Sequence, residues 1–105
     1  MAGMYCMRDL LELLLREGGE ELHLLVDRPP TMIVRGEPLT IHVAALTTDQ
    51  VAGLLESIAS ESEMRELREC GDIHFIYLFQ NSARFAVTAT LGREALNVNI
   101  KNLAR

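Results

Sequence analysis

Lysine is almost missing from this sequence: of ten basic residues, Lys101 is the only one that is not arginine. A phosphate loop needs a glycine, four residues, then Gly-Lys-Ser or Gly-Lys-Thr, and no such run exists, so the chain has no self-contained loop of that kind for ATP. Tryptophan is absent and aromatics make up 5% of the residues. That is too few for the stacking platforms that grip single-stranded nucleic acid, and Phe75, Tyr77, Phe79 and Phe85 read as core. Two cysteines, Cys6 and Cys70, stand far apart and in no metal-ligand spacing. A single disulfide between them stays open. A reduced, cytoplasmic chain is the expectation, because the start lacks the apolar core of a secretory signal. No apolar run is long enough to span a bilayer: the stretch from Leu10 to Leu15 is broken by Glu12 and followed by Arg16 and Glu17. Proline and glycine are few and scattered, with no repeat and no low-complexity segment.

What is present fits one small globular domain. The 105 residues are 49% hydrophobic and 24% charged, with a formal net charge of −5. That length holds one compact core and excludes a Rossmann domain or a barrel enzyme. The acidic balance repels the phosphates of duplex DNA and of anionic membranes.

The hydrophobic pattern gives the order of elements. Met7, Leu10, Leu11 and Leu14 recur at helical spacing, Asp9 and Glu12 sit early in that helix, and Gly18-Gly19 stops it. Glu21 to Val26 alternates as a strand. Asp27-Arg28-Pro29-Pro30 reads as a turn, because tandem proline fixes φ and removes amide donors. Thr31 to Arg35 is a second strand, Gly36-Glu37-Pro38 a tight connection and Leu39 to Val43 a third strand. Thr47 with Gln50, and Ser60 with Glu63, form capping boxes that open two helices. The second of these ends at Gly71. Ile73 to Phe79, Phe85 to Leu91 and Leu96 to Ile100 alternate by two, separated by the turns Gln80-Asn81-Ser82 and Gly92-Arg93-Glu94. The expected architecture is α+β: an antiparallel sheet with an N-terminal helix and a central helical hairpin.

Reactive constellations are not evident. His23, His42 and His74 fall on expected strands, with no pair at a metal-ligand spacing. Glu20-Glu21 begins a strand, and Glu61, Glu63, Glu66 and Glu69 interleave with Arg65 and Arg68 as charge pairs on a solvated helix face. Asp72 follows Gly71 in a turn or cap position. No serine sits between glycines as a nucleophile elbow. No catalytic, cofactor-binding or metal site is assigned. Arg35 and Arg84 are notable, because guanidinium forms planar bidentate contacts and both residues leave strands on the expected outer face.

Several segments together resemble the opening of PilT-type twitching-motility ATPases. They are Met7-Arg8-Asp9-Leu10-Leu11, Glu20-Glu21-Leu22-His23-Leu24 and Pro29-Pro30-Thr31-Met32-Ile33-Val34-Arg35-Gly36-Glu37. The resemblance continues through Leu46-Thr47-Thr48-Asp49-Gln50-Val51, Gly71-Asp72-Ile73-His74-Phe75 and Ala83-Arg84-Phe85-Ala86-Val87. It covers nearly the whole chain and rests on the order and spacing of these segments. It implies a PAS-like N-terminal domain. In such proteins a linker leads on to a RecA-like ATPase domain, the subunits form hexamers, and the N-terminal domain packs on a neighbour's ATPase domain.

The resemblance therefore implies a non-catalytic interaction or regulatory domain, residues 1–105, without its ATPase domain. The chain ends at Lys101-Asn102-Leu103-Ala104-Arg105, about where the linker would begin. Its partners would be a RecA-like ATPase domain or further copies of itself, with the pilus machinery at the inner membrane behind them. Nucleic acid, membrane insertion and a cofactor are not expected. Pro29, Pro30, Arg35, Arg84 and Lys101 are the candidate contact residues. A stand-alone PAS-like small-ligand sensor or adaptor is the alternative. The sequence departs from the family pattern at Glu20-Glu21, where Ser-Asp is usual, and at Ala86 and Thr88, where Arg-Phe-Arg-x-Asn is usual. It departs again at Lys101 and Leu103-Ala104. Those substitutions suggest a diverged paralogue or a stand-alone module.

Overall fold

The computed structural model describes residues 6–41, 43–80, 83–92 and 95–103. His42, Asn81-Ser82, Arg93-Glu94 and Ala104-Arg105 lie outside them. Three helices and six strands follow one another as expected: α1 (Met7–Arg16), β1 (Glu21–Leu25), β2 (Thr31–Val34), β3 (Glu37–Thr40), α2 (Thr48–Glu56), α3 (Glu61–Cys70), β4 (Asp72–Phe79), β5 (Ala83–Leu91) and β6 (Leu96–Asn102). The fold is α+β.

The ends of the helices are set by local chemistry. Both capping boxes form, with Thr47 and Ser60 accepting from the backbone of Gln50 and Glu63 and receiving those side chains in return. They satisfy amides that the first helical turn leaves without partners. Helix α1 ends in a Schellman motif. The Gly19 amide donates to the Leu14 carbonyl at 2.8 Å and the Gly18 amide to Leu15 at 3.1 Å, with Gly18 at φ 68°.

All six strands join one sheet in the order β3-β2-β1-β6-β5-β4. Every pairing is antiparallel. The crossover that closes it joins β1 to β6, the first and last strands. One face carries the core. Leu22 and Leu24 of β1, Phe85 and Val87 of β5, and Val98 and Ile100 of β6 are buried there with Leu11 and Leu14 of α1, Val51 and Leu55 of α2 and Leu67 of α3. A buried Leu or Phe contributes about 1.5–3 kcal/mol, so this single layer is the main source of stability.

Two expectations need correction. The connection between β2 and β3 is Arg35-Gly36, not Gly36-Glu37-Pro38, and the third strand is Glu37–Thr40, not Leu39 to Val43. Val34 pairs with Glu37 across a two-residue turn whose φ angles, 55° at Arg35 and 78° at Gly36, are both positive. Pro38 sits inside β3, which is tolerable because β3 is a sheet edge and the pairing alternation turns the Pro38 nitrogen away from β2. Leu91 follows the alternation of β5 but is exposed, since it lies at the sheet's end. Phe75 and Tyr77 are half-buried, whereas Phe79 and Phe85 are buried. Cys6 and Cys70 are free and exposed.

Candidate interaction surface

Among the described residues, helices cover one face of the sheet and none covers the other. Antiparallel register lays the open face out in rows of side chains. One row reads His74, Thr88, Asn99, His23, Thr31 and Thr40 from β4 to β3. Its hydrogen bonds are local: His74 Nδ1 lies 3.0 Å from Thr88 Oγ1, and His23 Nε2 lies 2.8 Å from Glu21 Oε1. The next row reads Ile76, Ala86, Lys101, Glu21, Ile33 and Pro38. Beyond it, Leu78 stands opposite Arg84. Ile76 and Leu78 are 54% and 53% exposed, an unusual place for large aliphatic side chains.

Three of the five expected contact residues converge at one end of this sheet. Arg84 is the diagonal neighbour of Lys101, because Ala86 stands directly opposite Lys101. Arg35 caps the β2–β3 hairpin at the same end. Glu20 ties these parts together. Its carboxylate accepts from the Gly36 amide at 3.1 Å, its amide donates to Ile33 at 2.7 Å, and its carbonyl accepts from the Asn102 amide at 2.8 Å. Asn102, a buried polar residue, donates from its side-chain amide to the Gly19 carbonyl at 3.2 Å. Arg35, Arg84 and Lys101 are all exposed, and among the described residues none is in an ion pair.

Pro29 and Pro30 lie at the opposite end. Pro30 is buried and its carbonyl accepts from the Ile41 amide at 2.9 Å; Pro29 is half-buried and accepts from Thr31 Oγ1 at 3.2 Å. Leu46 fastens this turn, accepting from the Asp27 amide and donating to the Arg28 carbonyl. The diproline turn thus shapes the far end and presents little side chain.

Sequence reasoning did not single out Glu20 as a structural acceptor or Asn102 as a buried polar group. The second was within reach: extending the alternation Leu96, Val98, Ile100 by one step places residue 102 on the core face. Other hollows are shallow. One of about 240 Å³ on the open face is lined by His23, Leu25, Thr88, Thr90, Asn97, Val98 and Asn99. One of about 220 Å³ lies between α1 and β3, beside Leu13, Met32 and Leu39. Among the described residues no group of three or more His, Cys, Asp or Glu could hold a metal ion, and no helix is long and apolar enough to cross a membrane.

Comparison with solved structures decides the fold. The pilus retraction motor PilT, solved with bound ADP, superposes with a TM-score of 0.88 over 97% of this chain at 19% identity. The chain has the fold of one part of a PilT-type ATPase. The ATPase DotB of Legionella pneumophila matches with a TM-score of 0.80 over 95% of the chain at 21% identity, and that of Yersinia pseudotuberculosis with 0.72 over 90% at 14%. The chain spans 30% of the length of PilT and of the Legionella DotB, and 29% of the Yersinia DotB. No protein-family model matches the sequence, and no curated protein matches it significantly. Ala86 and Thr88, where the sequence departs from the PilT-type pattern, both lie on the open face beside Lys101 and Asn99.

Proposed function

We propose that this chain is a non-catalytic interaction module that docks on a RecA-like ATPase domain of the pilus-motor type. The observation that carries the reading is the match of 97% of the chain to 30% of PilT. The sequence supplies no phosphate loop, so the ATPase chemistry belongs to the partner. The contact surface is the open end of the sheet formed by Arg35, Arg84 and Lys101. Three exposed cations, with Glu21 opposite Lys101 and Glu20 and Glu37 at the hairpin, suit a partner patch of mixed charge, where arginine favours bidentate carboxylate contacts. The Pro29-Pro30 turn acts at the other end as a fixed edge of the module, with Pro29 its accessible member. The module works in the cytoplasm, where the ATPase half of a pilus motor would meet it at the inner membrane.

Binding of the full chain to a separately produced PilT-type ATPase domain, followed by biolayer interferometry, tests this reading. Exposed charges each contribute modestly, so Arg84→Ala with Lys101→Ala is expected to weaken binding about fivefold to tenfold. The wild-type interaction should weaken as salt rises. Absence of binding, or binding unchanged by the double substitution and by salt, would overturn the reading.

A further inference from the structure

We propose that β4 pairs edge to edge with β4 of a second copy of this chain, antiparallel about a two-fold axis at Ile76. Among the described residues no further strand pairs with either edge of the sheet, and the two edges differ. The β3 edge is four residues long and contains Glu37 and Pro38. The alternation of bonded pairs turns Pro38 outward, so that edge lacks a donor there. Short length, charge and proline are the devices that keep sheet edges from pairing. The β4 edge is long, lacks proline and carries a formal charge only at its first residue, Asp72. It runs eight residues, Asp72–Phe79, and after Asp72 holds no formally charged residue other than what His74 can carry, and no proline or glycine.

The direction of its backbone groups follows from one hydrogen bond. The Leu91 amide donates to the Gly71 carbonyl at 2.8 Å, and the register continues from there as Asp72 with Thr90 and Ile73 with Ala89. Bonded and non-bonded pairs alternate in an antiparallel ladder. Residues 73, 75, 77 and 79 therefore bond to β5, while Asp72, His74, Ile76 and Leu78 turn their N–H and C=O groups to the free edge. Those four residues also place their side chains on the open face.

The edge is complementary to itself. With the axis at Ile76, Ile76 exchanges both bonds with the partner copy's equivalent residue, and His74 pairs with the position of Leu78 in each direction. The exposed side chains of Ile76 and Leu78 from the two copies then form one apolar strip across the junction. On the covered face, Phe75 meets the position of Tyr77, a favourable aromatic pair. Asp72 falls opposite the position of Gln80, so no like charges meet. This edge borders the end proposed for ATPase docking, since Leu78 stands opposite Arg84, but its bonds are made by β4 backbone groups, so Arg84→Ala with Lys101→Ala is expected to weaken docking and spare the dimer.

Sedimentation equilibrium of the full chain over micromolar to millimolar concentration tests the pairing, with circular dichroism as the control for folding. The wild type is expected to show reversible dimerisation. Ile76→Lys puts like charges face to face at the axis and is expected to weaken the dimer about tenfold or more while leaving the dichroism unchanged. Ile76→Pro removes an outward amide that β5 does not use and is expected to do the same. A wild type that stays monomeric throughout, or a dimer of equal strength in the folded Ile76→Lys chain, would overturn the proposal. If Ile76→Pro does not fold, Ile76→Lys decides alone.

Discussion

Phe85→Ala lowers the free energy of unfolding by about 3–5 kcal/mol, the range for truncating a buried aromatic residue. Phe85 is fully buried in β5, packed on Phe79 with ring centroids 6.1 Å apart, and stands in register between Tyr77 and Asn102. Backbone pairing on both sides holds its surroundings apart, so a cavity there closes poorly. Domains of this kind have only about 5–15 kcal/mol in total, and the loss is a large share of that. Urea unfolding followed by circular dichroism measures it. Glu66→Ala, at an exposed position of α3, serves as the reference and should shift stability by less than about 0.5 kcal/mol. A similar small shift for Phe85→Ala would mean that the sheet–helix interface is not the core.

Gly19→Ala costs about 1–3 kcal/mol, through crowding and not through backbone strain. A methyl group at Gly19 would overlap Leu14 Cδ1 and lie 3.3 Å from the Leu14 carbonyl oxygen. Leu14 is fully buried, so it has little room to yield. Gly18 is the opposite case, with a positive φ and nothing within 4 Å of an added Cβ. Relief at Gly19 must push α1 away from the sheet or break the bond from Asn102 to the Gly19 carbonyl. Either movement loosens the Glu20 junction that ties the β2–β3 hairpin to the end of β6. The substitution is therefore expected to speed amide exchange at Asn102 and Gly36 as well as lower the urea midpoint. Unchanged exchange at both amides would show that the junction does not depend on Gly19.

Local chemistry made most of the elements legible. Periodicity and capping located α1, α2 and α3, and the alternation in β4, β5 and β6 sorted buried from exposed positions almost throughout. The errors have physical causes. Pro38 reads as a breaker until β3 is known to be an edge, where an outward nitrogen loses nothing. Arg35 reads as a strand end because a positive φ on a non-glycine residue leaves no mark in the pattern. The pairing of β1 with β6 was not visible in the residues alone, since strands so far apart in sequence are matched by the global fold. It is this pairing that assembles the candidate surface: Arg35, Arg84 and Lys101 are remote in the chain and share one end of the sheet because the first and last strands lie side by side. Pro29-Pro30 shares the family-like motif with Arg35, yet the length of β2 carries the two to opposite ends.

The most direct test of the account is a map of the bound surface. Amide chemical shifts of the isotopically labelled chain are recorded as a PilT-type ATPase domain is added. The account predicts perturbations concentrated at Arg35, Gly36, Arg84 and Lys101, with α2 and α3 unaffected. Perturbations confined to the helical side, or none at saturating partner, would contradict it.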